Sequence, residues 1–239
     1  LVMDELWRAL RTQGYWQGEI FDRGSDGRVI PLLETISEVR DAQGTLTHHI
    51  AVMRDISTLK ETQTRLDFLA HHDVLTSLPN RLLFNDRLHH AVERAKREDD
   101  SVALLFIDLD RFKNINDSLG HHAGDQLLIE AARRLTGLVR SADTVARLGG
   151  DEFVVLMEHG ATHVSAVNLA DKIILAFKLP FLVGGVELHI GCSIGITLYP
   201  EDGGDAVTLL KNADAAMYRA KDAGRDGHVR YSAELSDAS

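Results

Sequence analysis

The chain has 239 residues, 44% of them apolar and 26% charged, which is the composition of an ordinary globular protein with one large or two small domains. Its formal net charge of −10 argues against a broad electrostatic hold on a phosphate backbone, so we expect no nucleic-acid polymer among its partners. A nucleotide could still bind, but only where Lys, Arg or metal ions cluster locally.

The cysteine content and the apolar runs bear on the compartment. Cys192 is the only cysteine, which excludes an intrachain disulfide and a cysteine-based zinc site and is usual for reduced cytoplasmic proteins. No apolar run reaches the about 18 residues of a membrane span, and no signal peptide is visible. We therefore expect a cytoplasmic protein with no membrane contact within this fragment. Because the chain begins at Leu1 rather than Met, we interpret it as a piece of a longer protein, whose membrane anchor could lie outside it.

The first quarter of the chain predicts a short helix followed by β-structure. Turn-forming sequences separate strand-like segments, rich in β-branched and aromatic residues, at 16–21, 29–39 and 46–54. This pattern predicts an antiparallel meander with one buried face. Residues 57–72 lose the strand character, and Leu59 and Leu66 stand seven positions apart, which predicts a connecting helix.

The rest of the chain alternates between strand and helix patterns. An apolar run at 101–108 that ends in an acid predicts a strand buried on both faces, and strand-like segments at 144–148 and 153–157 meet at a Gly-Gly pair as a hairpin. Strand character returns over 186–198. Helical patterns recur over 81–97, 128–139, 163–178 and 206–220. The alternation predicts an α/β (α+β) fold in which helices flank a mixed central sheet, preceded by the antiparallel β fragment.

Three acids occupy places where strands end or begin. Asp108 ends the buried strand, and Asp151 with Glu152 opens the second arm of the hairpin. If strand and hairpin are neighbours, these carboxylates converge at one rim of the sheet. Clustered carboxylates repel one another and usually hold a hard cation, and Mg²⁺ prefers a few carboxylates together with substrate phosphates. Taken singly, each acid could instead be a solvated charge at a strand end.

The sequence at 147–153, Arg-Leu-Gly-Gly-Asp-Glu-Phe, carries the complete signature of the GGDEF family of diguanylate cyclases. The resemblance extends over residues 66–232, and three further blocks reinforce it, at 73–81, 108–117 and 218–225. It implies a palm-like nucleotide-cyclase fold and an enzyme that condenses two GTP into cyclic di-GMP and two pyrophosphates. It also implies Mg²⁺ (or Mn²⁺) as cofactor and a bacterial homodimer in which two subunits, each with one GTP, face each other.

The resemblance also assigns roles to individual residues. The metal ligands it implies are Asp108, the Leu109 carbonyl and Asp151. The catalytic residues are the same two aspartates and Glu152, which could promote deprotonation of the attacking 3′-hydroxyl. Guanine recognition falls to Asn116 and Asp125, and His121 aligns with a position in the substrate pocket. The remaining substrate contacts are the backbone of Phe112 and Lys113, the Gly149-Gly150 turn, which a ligand can approach closely, and the side chains of Lys221 and Arg225.

Three further residues bear on activity. Arg140 and Asp143 match the family's inhibitory RxxD site, where an Arg–Asp pair binds the product cyclic di-GMP; the alternative is an ordinary surface ion pair. Asp226 stands where the family usually has Asn, and we expect this turn position to tolerate the exchange.

The N-terminal segment resembles the last three strands of a PAS sensor domain, through residues 14–19 and the run ending at 53–56. The front of that fold is missing, so the sensor ligand is unknown, and a β-meander that only aids dimerisation is an equal alternative. We therefore predict a sensor fragment at 1–56 and a signalling helix at 57–72 that relays sensor changes. The cyclase domain follows at 73–232, and a tail or linker at 233–239.

Two other functions stay open at this point. One is a weakly active GGDEF domain that binds GTP or cyclic di-GMP and regulates an attached EAL phosphodiesterase, because residues 231–235 resemble the stretch that leads into such a domain. The other is a cyclase that makes a different nucleotide product, although Asn116 and Asp125 favour guanine.

Overall fold

The computed structural model describes residues 2–232, and the chain divides into two compact units with the boundary between Phe68 and Leu69. The predicted tail at 233–239 lies outside the described residues. The helices are α1 (Val2–Gln13), α2 (Ser57–His71), α3 (Arg81–Glu98), α4 (Phe112–Leu119), α5 (His121–Leu138), α6 (His163–Lys178) and α7 (Ala206–Asp222). The strands are β1 (Tyr15–Arg23), β2 (Val29–Arg40), β3 (Leu46–Asp55), β4 (Val102–Leu109), β5 (Thr144–Gly149), β6 (Glu152–Met157), β7 (Phe181–Val183), β8 (Val186–Leu188), β9 (Cys192–Tyr199) and β10 (Gly227–Arg230). Between residues 2 and 232, none of these helices combines the length and the apolarity needed to cross a bilayer.

The smaller unit is built on a three-stranded antiparallel sheet. Its strands follow the order β1-β2-β3, which confirms the predicted meander. Leu6 and Leu10 of α1 pack against Trp16 of β1 and form a small core, whereas every residue of β3 is exposed. The likeness to a PAS domain stays a prediction. Helix α2 occupies the segment that was expected to connect the two parts, and its signalling role likewise stays a prediction.

The larger unit contains a five-stranded sheet in the order β10-β9-β4-β6-β5. Strand β10 runs parallel to β9 and the other pairs are antiparallel, so the predicted mixed sheet is confirmed. Along the central strand β4, Ala103, Leu105 and Ile107 pack in one cluster with α5 and α6, and Leu104 and Phe106 pack in the other with α3 and α7. Because successive side chains point to opposite faces and helices cover both, the strand is apolar from Val102 to Ile107.

Two stretches of the larger unit differ from their sequence patterns. The strand expected over 186–198 is divided: Val186–Leu188 pairs with β7 in a separate hairpin, and the sheet strand begins only at Cys192. Gly184 and Gly185, both with positive φ, make the turn of that hairpin, and Gly191 stands just before the sheet strand. Helix α4 was not predicted from periodicity, because eight residues give too few turns for an amphipathic pattern to show.

Helix α7 lies unusually close to the sheet. A Cβ added to Gly195 of β9 would stand 1.9 Å from the carbonyl oxygen of Ala213 and 2.3 Å from the backbone nitrogen of Met217. At Gly195 the helix backbone therefore rests directly on the strand. This contact fixes the position of the last turn of α7, which carries Lys221.

Candidate active site

The predicted acids lie at one rim of the larger sheet. Asp108 is the second-to-last residue of β4 and lies opposite Glu152 of β6 in the sheet. The backbone N–H of the next residue, Leu109, donates to the carbonyl of Asp151 at 3.3 Å. The turn between β5 and β6 is thereby joined to the end of β4, and the structure brings together the three acids that the sequence had singled out.

Asp108 is buried beside a lysine. Because β4 alternates its side chains, Asp108 falls on the face covered by α7, and the Nζ of Lys221 lies 2.8 Å from its Oδ1. Burial raises the pKa of Asp108 to about 6; the hydrogen bond from Lys221 opposes this rise, and the negative charge of Asp151 adds to it. The rim therefore holds more negative charge than one lysine balances.

This excess of negative charge is what fits a divalent cation. Carboxylate and carbonyl oxygens are the ligands that Mg²⁺ and Mn²⁺ accept, and Asp108, Asp151 and the Leu109 carbonyl are the donors at hand. Within the described part of the chain, no group of three or more His, Cys, Asp or Glu side chains is arranged as a metal cage. An ion held at this rim would take its remaining ligands from water or from substrate phosphates.

The Gly149-Gly150 turn is held in place by an arginine that the sequence reading missed. The Nε and Nη2 of Arg147 donate to the carbonyl of Gly150 at 3.0 and 2.7 Å, and its Nη1 lies 2.9 and 3.0 Å from the two oxygens of Asp73. Gly150 has a φ of +51°, and no atom lies within 4 Å of the place where a Cβ on either glycine would stand. Arg147 thus holds the turn through the Gly150 carbonyl, while the Cβ positions of both glycines are open, so that a ligand can approach the backbone there.

We expect Asp73→Asn to lower the thermal stability of the protein at pH 7 and to lower it less in acid. Burial opposes the ionisation of Asp73, but hydrogen bonds from Thr76 and Arg147 outweigh it and hold the pKa of this carboxyl below its ordinary value. The ionised carboxylate therefore stabilises the fold fully above about pH 3.9, and the stabilisation is lost as pH falls through the lower folded-state pKa.

Thermal melts of both proteins at pH 7 and at about pH 3 test this expectation. Asp214→Asn, which changes an exposed acid of α7, is the control. A difference between Asp73→Asn and the unmodified protein that is the same at both pH values would contradict the assignment.

The residues predicted to recognise guanine lie on α4 and α5. Asn116 stands directly over Gly124, because a Cβ on that glycine would lie 1.9 Å from the Asn116 Oδ1. This Oδ1 is buried and has no hydrogen-bond partner among the described residues. His121 is the first residue of α5 and Asp125 follows one turn later, both exposed. A buried acceptor without a donor is uncommon in folded proteins.

The predicted phosphate contacts surround the start of α4. Phe112 and Lys113 are its first two residues, whose N–H groups have no partner within the helix. The Phe112 side chain is buried in the core, so only its backbone can face a ligand. Arg225 follows α7 in a turn, with a φ of +65°, and its side chain is exposed.

The remaining candidates lie at the edges of the site. Glu152 is half-buried, and its Oε2 lies 3.3 Å from the Nη2 of Arg81. Arg140 and Asp143 form a tight turn in which the Asp143 carboxylate accepts from the Arg140 backbone N–H at 3.1 Å. The guanidinium of Arg140 forms no ion pair with any residue from 2 to 232. The two residues are together, but the charged head of Arg140 is left for another partner.

Comparison with known proteins gives the larger unit a family. Residues 70–227 match the family model described as diguanylate cyclase, GGDEF domain. The chain is 48% identical over 180 residues to the bifunctional diguanylate cyclase/cyclic di-GMP phosphodiesterase MucR of Pseudomonas aeruginosa, with 75% of this chain and 26% of MucR covered. It is 47% identical over 180 residues to the diguanylate cyclase TpbB of the same species, with 75% of this chain and 41% of TpbB covered.

A solved structure agrees with these matches. The isolated GGDEF domain of TpbB (YfiN) from Pseudomonas aeruginosa has a TM-score of 0.68 and 45% sequence identity, covering 70% of this chain and 98% of that domain. The chain spans only 26% and 41% of the length of the two curated relatives. Since the family model covers well over half of the chain and the solved domain is matched almost in full, the chain belongs to the GGDEF family of diguanylate cyclase domains.

Proposed function

We propose that this chain condenses two GTP into cyclic di-GMP, releasing two pyrophosphates. The observation that carries the proposal is the rim at which the buried Asp108, the Asp151 turn and Lys221 meet. A site with clustered carboxylates, a nearby cation and free helix N–H groups suits a triphosphate bound with a divalent ion.

Asn116 and Asp125 supply the preference for guanine. Guanine presents its ring N–H and its exocyclic amine on one edge, and both are donors. The Asn116 Oδ1 is an acceptor with no hydrogen-bond donor among the described residues, and the Asp125 carboxylate is a second acceptor on the neighbouring helix. Adenine presents an acceptor in place of the ring N–H, so ATP would leave a polar group unpaired.

The chain's own residues position the phosphates and balance their charge. The N–H groups of Phe112 and Lys113 and the side chains of Lys221 and Arg225 would contact the triphosphate, while Glu152 would accept the proton of the 3′-hydroxyl. Family members use a divalent metal ion; held by Asp108, Asp151 and the Leu109 carbonyl, it would polarise the phosphoryl oxygens. Most of the acceleration would come from positioning and from charge stabilisation, as in other phosphoryl transfers.

Two subunits are needed, because each site holds one GTP and the product joins two. Helix α2 offers a surface for pairing: none of its residues is buried, and Leu59 and Leu66 are 65% and 56% exposed at heptad spacing. We propose that α2 pairs with its copy, and that the N-terminal unit acts as a sensor fragment that changes how the two cyclase domains face each other.

Mass analysis of the products from GTP and Mg²⁺, at several protein concentrations, tests the proposal. We expect cyclic di-GMP, with a rate per subunit that rises with protein concentration, and we expect Mn²⁺ to replace Mg²⁺ and ATP to give no cyclic product. The absence of cyclic di-GMP at every concentration would refute the cyclase assignment, and a product from ATP would refute the guanine preference.

A second function is favoured by one specific observation. MucR, which is named as both cyclase and phosphodiesterase, matches this chain over only 26% of its length. The chain could therefore serve as a weakly active GTP- or cyclic di-GMP-binding part that regulates an attached EAL phosphodiesterase. Binding of GTP without turnover in the assay above would favour this alternative.

We expect Arg140→Ala to weaken inhibition by cyclic di-GMP by about tenfold or more, because it removes charge-assisted hydrogen bonds to the product. The guanidinium has no ion-pair partner within residues 2–232, so its removal leaves no described carboxylate unpaired. Initial rates of pyrophosphate release, measured with added cyclic di-GMP, give the inhibition constant.

Arg133→Ala is the matched control, because Arg133 lies on the same stretch of chain but pairs with Glu130. We expect its inhibition constant to equal that of the unmodified protein. Unchanged inhibition in Arg140→Ala would remove Arg140 and Asp143 as the product site.

A further inference from the structure

The structure contains a buried carboxylate that neither the metal site nor the substrate contacts use. Asp110 lies two residues beyond Asp108, in the loop between β4 and α4, and is 8% exposed. Resting on the function proposed above, we infer that Asp110 is a positioning residue for Arg225: it fixes the turn that aims the Arg225 guanidinium at the phosphates of GTP.

The contacts of Asp110 join three separate parts of the chain. Its Oδ1 accepts a hydrogen bond from the Ser193 hydroxyl on β9 at 2.7 Å, and its Oδ2 accepts from the backbone N–H of Asp226 at 2.9 Å. Its own N–H donates to the carbonyl of Gly191 at 3.0 Å. Both carboxylate oxygens are thus occupied by neutral donors, and one of these donors belongs to the residue next to Arg225.

The turn that Asp110 holds is strained. Arg225 and Asp226 have φ values of +65° and +48°, a left-handed conformation that residues with a side chain rarely adopt. Such a conformation persists only where surrounding contacts enforce it. On one side the Arg225 N–H donates to the carbonyl of Ala220 at 3.0 Å, and on the other the hydrogen bond to Asp110 holds Asp226. Removing the second contact frees the turn to relax.

The contact between Asp110 and Asp226 is closely packed against Gly191. A Cβ added to Gly191 would stand 3.2 Å from the Asp110 Oδ2 and 2.9 Å from the Asp226 Oδ1, so the side chains of Asp110 and Asp226 both lie close to the Gly191 backbone. The same feature explains the tolerance of Asp at 226. The contact to Asp110 uses the backbone N–H, which every residue except proline provides, and Asp is among the residue types that adopt positive φ most readily.

Two variants at position 110 and one at its partner test the inference. Asp110→Ala removes the acceptor for the Asp226 N–H, whereas Asp110→Asn is nearly isosteric and retains an oxygen for it. Ser193→Ala removes the other hydrogen bond and leaves the turn contact intact. We expect Asp110→Ala to lower kcat/KM for GTP by about 10–100-fold, mainly through a higher KM, and Asp110→Asn and Ser193→Ala to lower it by less than about threefold.

A second measurement reads the turn itself and does not depend on turnover. Trypsin cleaves after arginine, and the bond from Arg225 to Asp226 is held by the contact in question. We expect native Asp110→Ala to be cut at this bond at least about tenfold faster than the unmodified protein and Asp110→Asn, with cutting at Arg230 unchanged, as mass spectrometry of the fragments will show.

The outcomes separate this inference from the proposed function. Equal loss of activity in Asp110→Ala and Asp110→Asn, or equal cutting after Arg225 in all proteins, would overturn the positioning role. If the unmodified protein made no cyclic di-GMP, the proposed function would fail. The inference would then stand or fall on the cleavage pattern and on the affinity for a GTP analogue with a non-cleavable bridge between the α- and β-phosphates, which we expect Asp110→Ala alone to weaken.

Discussion

Asp151→Ala is expected to reduce the formation of cyclic di-GMP by at least about 100-fold while the protein stays folded. Asp151 is one of two carboxylates proposed to hold the divalent ion, and its charge already raises the pKa of Asp108 across the rim. Without it, the proposed site loses half of its negative charge, and the ion and the triphosphate it carries are no longer held in place. Initial rates with GTP and Mg²⁺, together with thermal melts, measure both effects.

The control for this variant must change the same amount of charge elsewhere. Asp214→Ala does so on the exposed side of α7, and we expect its turnover to match that of the unmodified protein. Near-normal turnover in Asp151→Ala would refute the metal assignment. A large fall in the melting temperature would mean that the residue supports the fold and not the chemistry.

Gly195→Ala is expected to lower the free energy of unfolding by about 1–3 kcal/mol, although it adds only one methyl group. That methyl would stand 1.9 Å from the Ala213 carbonyl oxygen, and the atoms it meets belong to a helix backbone that has no rotamer to change. Helix α7 must therefore move away from β9 and take Lys221 with it. We expect a lower midpoint in urea and, because Lys221 would leave Asp108, a loss of turnover.

Gly137→Ala provides the matched control. It is the same substitution in α5, at a position where a Cβ would meet no atom within 4 Å. Alanine is the better helix former, so we expect stability to be unchanged or to rise by up to about 1 kcal/mol. An unfolding midpoint for Gly195→Ala equal to that of the unmodified protein would contradict the close packing of α7 on β9.

The sequence predicted those elements whose periodicity follows directly from burial. Residues 102–107 of β4 had to be apolar at every position, because helices cover both faces of the strand. The hairpin was equally predictable, since strand-like segments lie on both sides of Gly149 and Gly150, which adopt positive φ. Helix α4 and strand β10 were not, because eight and four residues carry too little pattern and owe their form to tertiary contacts.

The candidate site divides in the same way. Of the residues that would touch the substrate, Asp108 stood out because an acid in a buried strand is unusual, and Lys221 was found through the family resemblance. Residues that hold others in place, such as Arg147 and Asp110, did not stand out. Their partners are backbone groups, the Gly150 carbonyl three residues from Arg147 and the Asp226 N–H far along the chain from Asp110, and no sequence pattern shows which backbone group a side chain will meet.

The contact between α7 and β9 has a consequence for control. At Gly195 the main chain of α7 lies on the main chain of β9, and Leu209 and Met217 of the helix pack into the core on this face, so we expect helix and strand to move as one body. A conformational switch that moved Lys221 toward or away from Asp108 would have to disrupt the packing of α7 on β9. We therefore expect regulation of the proposed dimer to leave the active site of each subunit unchanged. It would act on whether, and at what angle, the two sites face each other.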